Sequence, residues 1–169
     1  KSKIVTTMKS IIVSIIAMSL MTFAPLNAMQ NDELTDTDIV VAESLIEAVN
    51  NIDIISLNVL LAEGASVDTV DQNGNSPLIL ATKIGNPRMV DIILAHNPNI
   101  NHRNNDGETA LMSASANGIL SIVQDLKEHG ADPELRNSNG LTAAQVALRN
   151  GHSTIARFLS ESGNVKLSR

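Results

Sequence analysis

A chain of 169 residues with 18 acidic against 12 basic side chains, net −6, has the length of a single domain with an extension and the wrong sign to hold nucleic acid or an anionic membrane. Cysteine, tryptophan and tyrosine are absent and there are two phenylalanines, which removes disulfides, thiol nucleophiles and thiolate metal sites and leaves little to stack on a base.

Residues 1–28 differ in kind from the rest. Lys1, Lys3 and Lys9 precede an apolar stretch, Ile11–Ala24, and then Pro25-Leu26-Asn27-Ala28. This basic, apolar, small-residue order predicts a secretory signal peptide over 1–28 with the cut after Ala28. The alternative is an uncleaved membrane anchor, but Ile11–Ala28 is at the lower limit of a spanning length and is broken by Ser14, Ser19, Thr22, Pro25 and Asn27. Cleavage would remove three basic residues and no acidic one, giving a net charge of −9. Residues 29–37 are polar and acidic and read as a flexible leader, with Asp36 or Asp38 as the cap of the helix that follows.

From Asp38 onward the chain repeats itself. A helix is expected over Thr37–Asn50 and a second over Asp53–Glu63, and a clearer version of the same unit occupies Asp71–Arg103, Asn104–Arg136 and, shortened, 137–163. At a period of 33 residues Gly74, Gly107 and Gly140 coincide, as do Ala81, Ala114 and Ala147, and then Gly85, Gly118 and Gly151. Each block opens on a polar turn, DQNG, NNDG or NSNG. A hydroxyl, Ser76, Thr109 or Thr142, then offers an oxygen to the free amides of a first helical turn. That helix runs about seven to nine residues to the glycine, where positive φ closes it. Second helices are expected over Pro87–His96, Ile119–His129 and Ser153–Ser162, with apolar residues at helical spacing. They stop at Asn97, Gly130 and Gly163. In the first unit, 38–70, Ile52 stands where the others carry glycine, as befits a terminal repeat. Residues 164–169 form a tail.

These features resemble the ankyrin repeat, a 33-residue unit of β-turn plus two helices with a T-P-L-H-x-A core. The core stands here as Ser76-Pro77-Leu78-Ile79-Leu80-Ala81, Thr109-Ala110-Leu111-Met112-Ser113-Ala114 and Thr142-Ala143-Ala144-Gln145-Val146-Ala147, all without the family histidine. Gly118–Asp132 and Gly151–Gly163 follow the family's second-helix pattern. The resemblance implies an all-α solenoid of about four helix-turn-helix repeats with short β-turn tips. A single repeat cannot bury its own outer faces, so the units must fold as a stack.

Nothing in the chain argues for catalysis. No serine lies in G-x-S-x-G, each glycine stands alone at a repeat position, and a metal reading through His96 and His102 lacks nearby carboxylates at helical spacing. His129 and His152 fall where the resembled family carries structural histidine. The expectation is no enzyme activity, no cofactor and no metal. What remains is a surface for another protein, made by turn tips and first helices. Its candidates are Gln72, Asn73, Asn75 and Lys83; Arg103, Asn105, Asp106 and Glu108; and Arg136, Ser138, Asn139, Leu141 and Arg149. Arg103 and Arg136 share a repeat position and should stand in a row suited to carboxylates on a partner. The overall expectation is a monomeric, bacterial-type exported ankyrin-repeat protein, periplasmic or secreted, that binds a protein and neither nucleic acid nor, once cleaved, membrane. A membrane-tethered scaffold and a secreted effector acting on host proteins are the alternatives.

Overall fold

The computed structural model describes residues 45–162, so the expected signal peptide, the leader, the start of the first helix and the tail lie outside the described residues. Helices joined by turns and loops make up the described part, with no strand among its residues. Its helices are α1 (residues 45–50), α2 (Ile54–Ala62), α3 (Pro77–Ile84), α4 (Pro87–Leu94), α5 (Ala110–Asn117), α6 (Leu120–Glu128), α7 (Ala143–Arg149) and α8 (Ser153–Ser162).

The expected caps explain the starts. Ser76 Oγ accepts from the amide of Ile79 at 3.3 Å, Thr109 Oγ1 from Met112 at 3.3 Å, and Thr142 Oγ1 from Gln145 at 3.4 Å. Gln145 returns the bond to the Thr142 amide at 3.0 Å, completing a capping box. Asn86 caps α4 through Met89 at 3.3 Å, with Pro87 at the position where no amide is needed. Boundaries differ from the sequence reading by one or two residues. Asp53 is the cap of α2 rather than its first residue, accepting from Ser56 at 3.0 Å, and α6 starts at Leu120 because Ile119 is its extended cap. Helix α4 ends at Leu94 and α6 at Glu128, the following residues making a tighter last turn.

Helices α3, α5 and α7 pack side by side in sequence order, and α4 packs against α6 in a second row, with α4, α6 and α8 each lying on the first helix of its own repeat. One continuous core results, from Leu45 and Val49 through Leu57, Leu78, Met89, Ile93, Leu111, Ile122 and Leu126 to Ile155 and Leu159. The alanines of the repeat, Ala81, Ala114 and Ala147, are fully buried.

The repeat glycines do two jobs. Gly118 sits at φ +74, and a Cβ there would lie 2.4 Å from the ring of His152, so the next repeat packs directly on its backbone. Gly151 has the same handedness, φ +84, with nothing within 4 Å. Gly151→Ala is therefore expected to cost only the left-handed backbone penalty, roughly 1–2 kcal/mol, and Gly118→Ala clearly more, because His152 must also move. Urea unfolding of the two variants measures the difference.

Candidate functional site

The three turn tips are built by one device. Asp71 Oδ1 accepts from the amides of Asn73 and Asn75, both at 2.8 Å. Asn104 does the same for Asp106 at 3.0 Å and Glu108 at 2.9 Å, and Asn137 for Asn139 and Leu141, both at 3.0 Å. Each loop is closed at its base by a backbone bond, Asp71 to Asn75, Asn104 to Glu108 and Asn137 to Leu141, all at 3.0 Å. An Asx side chain that saturates two loop amides leaves the tip little freedom.

Successive tips are then bonded to one another. The Asn105 amide donates to Asn73 O at 3.0 Å and the Ser138 amide to Asp106 O at 2.9 Å. Side chains reinforce both rungs: Asn105 Nδ2 donates to Gln72 O at 3.3 Å, and Ser138 Oγ to Asp106 O at 2.7 Å. The side chains of Gln72, Asn73, Asp106 and Asn139 are exposed and form no hydrogen bond to other described residues.

Behind the tips lies a polar cluster. Asn75 is 4% exposed and Asn104 is 7% exposed, and Asn104 Nδ2 donates to Asn75 Oδ1 at 2.8 Å. Asn75 Nδ2 donates to Asp71 Oδ2 at 2.9 Å, Lys83 Nζ donates to Asn75 Oδ1 at 3.0 Å, and Lys83 pairs with Glu108 at 3.5 Å. Burial works to raise the Asp71 carboxyl, but the Asn75 side chain, the amides of Asn75 and Asn73, and the Lys83 charge together hold it below the ordinary aspartate value. Asn75 thus serves the interior, with no surface to offer a partner. The Lys83–Glu108 pair is half exposed and contributes little stability.

Arg103 and Arg136 share a job as well as a position. Arg103 Nε donates to Gly107 O at 3.3 Å and its Nη2 to Arg136 O at 2.6 Å, while Arg136 Nη1 donates to Gly140 O at 2.8 Å. Each guanidinium is fixed to the turn that follows it, and both remain exposed. Leu141 is half-buried; Arg149 is exposed at the end of α7. Two apolar neighbours escaped the sequence reading, Ile84 beside Lys83 at 37% exposure and Leu148 beside Arg149 at 63%. Their signal is an apolar side chain off the buried stripe of a first helix.

All four histidines bond to backbone carbonyls. His96 Nδ1 donates to Ile92 O at 2.9 Å and His129 Nδ1 to Asp125 O at 2.7 Å, each within its own helix end. His102 Nε2 donates to Gly74 O at 2.8 Å, from the end of its repeat back to that repeat's own turn tip, and His152 Nε2 to Ala116 O at 3.1 Å in the preceding repeat. Asn117 adds a further bridge, donating to Thr82 O at 2.9 Å and Lys83 O at 3.0 Å at the end of the preceding first helix. Among the described residues no group of three or more histidine or carboxylate side chains could hold a metal. Among the described residues the buried hydroxyls of Ser113 and Ser115 have no hydrogen-bond partner.

Family models decide the kinship. The model described as Ankyrin repeats (3 copies) matches residues 45–137, more than half of the chain, and that described as Ankyrin repeats (many copies) matches residues 120–159. The chain belongs to the ankyrin repeat family. No curated protein matches it. Ankyrin repeats generally mediate protein–protein interaction, and proteins built from them are typically non-enzymatic scaffolds. In this ankyrin stack the match begins at the first described residue, so the atypical first unit is included.

One carboxylate on the second-helix side is out of balance. Burial, then the charges of Asp91 and Glu128, raise the Asp125 carboxyl above its ordinary value, with His129 opposing. An acid raised in the folded state binds more protons than the unfolded chain just above the ordinary value of 3.8, so stability falls as pH rises through that window. Asp125→Asn should therefore raise the thermal midpoint at pH 7 by the equivalent of less than about 1 kcal/mol, and the gain should vanish below pH 4. Thermal melts of both proteins across that range check it.

Proposed function

We propose that this chain is an exported, monomeric, non-enzymatic module that binds a partner protein through the face made by its turn tips and first helices. The observation that supports this most is the rigid row of equivalent tips. Asx-closed loops, bonded rung to rung, carry exposed and chemically varied side chains, Gln72 and Asn73, Asn105 and Asp106, Ser138 and Asn139. A partner meeting such a row has little loop entropy to overcome on binding. The two aligned arginines give the row a cationic edge within an acidic chain, suited to carboxylates on the partner.

Export rests on the basic, apolar and small-residue order of residues 1–28, with the periplasm or the extracellular space as the destination. Intact mass of the native protein tests it: a mature chain beginning near Met29 is expected, and retention of Ile11–Ala24 would indicate the tethered form.

The binding face is tested by affinity capture from the native exported fraction. Arg103→Glu combined with Arg136→Glu should reduce partner yield about tenfold or more. Because both arginines also fasten turns, Arg149→Glu serves beside them. It should weaken capture with an unchanged circular dichroism spectrum, and equal yields from all three proteins would remove the proposed face.

A further inference from the structure

The first repeat departs from its sister repeats at Ile52 and Ile55, each time toward an apolar side chain. Ile52 occupies the position held by Gly85, Gly118 and Gly151, and it adopts the left-handed backbone they adopt, at φ 56. A β-branched residue is a steric outlier there. Its side chain recovers little by burial, being 50% exposed. Three residues on, Ile55 stands where the sister repeats carry Arg88, Ser121 and Thr154, and it is 79% exposed. One helical turn further, Val59 is 44% exposed, at the position of Ile92, Asp125 and Phe158. Ile55 and Val59 lie one turn apart on α2, and Ile52 stands just before the Asp53 cap of that helix. Backbone strain retained to present an apolar side chain to water calls for an occupant.

Charge says which kind. From Ser10 to Thr82 the sequence has no lysine, arginine or histidine, and the described part of that span carries Glu47, Asp53, Glu63, Asp68 and Asp71. Residues 83–169 are close to balanced, so the negative charge of the chain is concentrated around the first repeat. Within this span the first repeat itself offers a lipid surface no cation to receive headgroup phosphates. An apolar ridge one helix long with an acidic border is complementary to a helix with an apolar stripe and basic flanks.

We propose that the Ile52–Ile55–Val59 ridge of the first repeat is a second docking surface, separate from the turn-tip face, for a basic amphipathic helix of a partner protein.

The test uses a fluorescent helical peptide of leucine and lysine with one apolar face, a matched leucine–glutamate peptide, and the full chain as it exists after export. Two variants install residues that sister repeats already carry and leave the charge unchanged: Ile52→Gly and Ile55→Thr. Anisotropy should show the lysine peptide binding and the glutamate peptide not binding. Each variant should lose affinity by about tenfold. Ile52→Gly should at the same time resist denaturant better than the parent, since glycine relieves the left-handed strain, so loss of binding cannot be ascribed to loss of fold. Equal affinity of the parent and both variants for the lysine peptide, no binding of it, or equal binding of both peptides overturns the proposal. Sedimentation velocity guards the remaining case: a dimer of the parent that Ile55→Thr dissociates would make a second copy the occupant and overturn it as well.

Discussion

The described domain depends on one kind of contact, an amide of one turn reaching an oxygen of the turn before it. Asn105 to Asn73 O at 3.0 Å and Ser138 to Asp106 O at 2.9 Å set the step from repeat to repeat at the tips. At the other edge Asp68 Oδ1 accepts from the Asn99 amide at 2.8 Å and Asn101 Oδ1 from Asp132 at 2.9 Å. Between these rows the repeat alanines are fully buried, and Gly85 and Gly118 leave room for Ile119 and His152 at the entry to the next second helix. Small residues and rungs are thus two parts of one requirement. A bulkier helix face would stretch the rungs, and absent rungs would let the helices slide.

Much of this was legible in the amino-acid order because it is local or periodic. A hydroxyl before an apolar run, proline after an asparagine and glycine at a fixed interval each act on the nearest turn of chain, so Ser76, Thr109, Thr142 and Asn86 cap helices as their positions imply. The 33-residue recurrence carried the packing, since equivalent positions in a stack meet equivalent neighbours. What the order of residues did not reveal is how a polar side chain divides itself between solvent and the neighbouring repeat. Asn75 and Asn73 look alike on paper, yet Asn75 points its amide at Asp71 and Asn104 and is buried, while Asn73 stays exposed. His102 and Asn117 were likewise illegible, because their acceptors lie 28 to 35 residues away in sequence.

The first repeat shows what periodicity leaves out. Its helices keep the core, with Leu45, Val49 and Leu57 fully buried, while the T-P-L-H core and the helix-end glycine are missing. Solubility favours polar residues at exposed positions. Ile52 and Ile55 run against that preference, and Ile52 does so at a conformational cost that glycine would avoid.

The arginine row shows why a structural bond and a binding role need not compete. A free arginine on a surface loses rotamer entropy when it grips a carboxylate, and much of its electrostatic gain goes to offsetting that loss. Arg103 has already lost it: Nε and Nη2 are tied to Gly107 O and Arg136 O, and Arg136 is tied in turn to Gly140 O. The remaining guanidinium N–H groups are then presented from a fixed plane at a fixed repeat spacing, with the charge undiminished because neutral carbonyls accept without cancelling it. Bonds that look like an alternative to recognition instead lower its entropic cost, and they place the spacing of any matching carboxylates under the control of the same turn-to-turn rungs that hold the stack together.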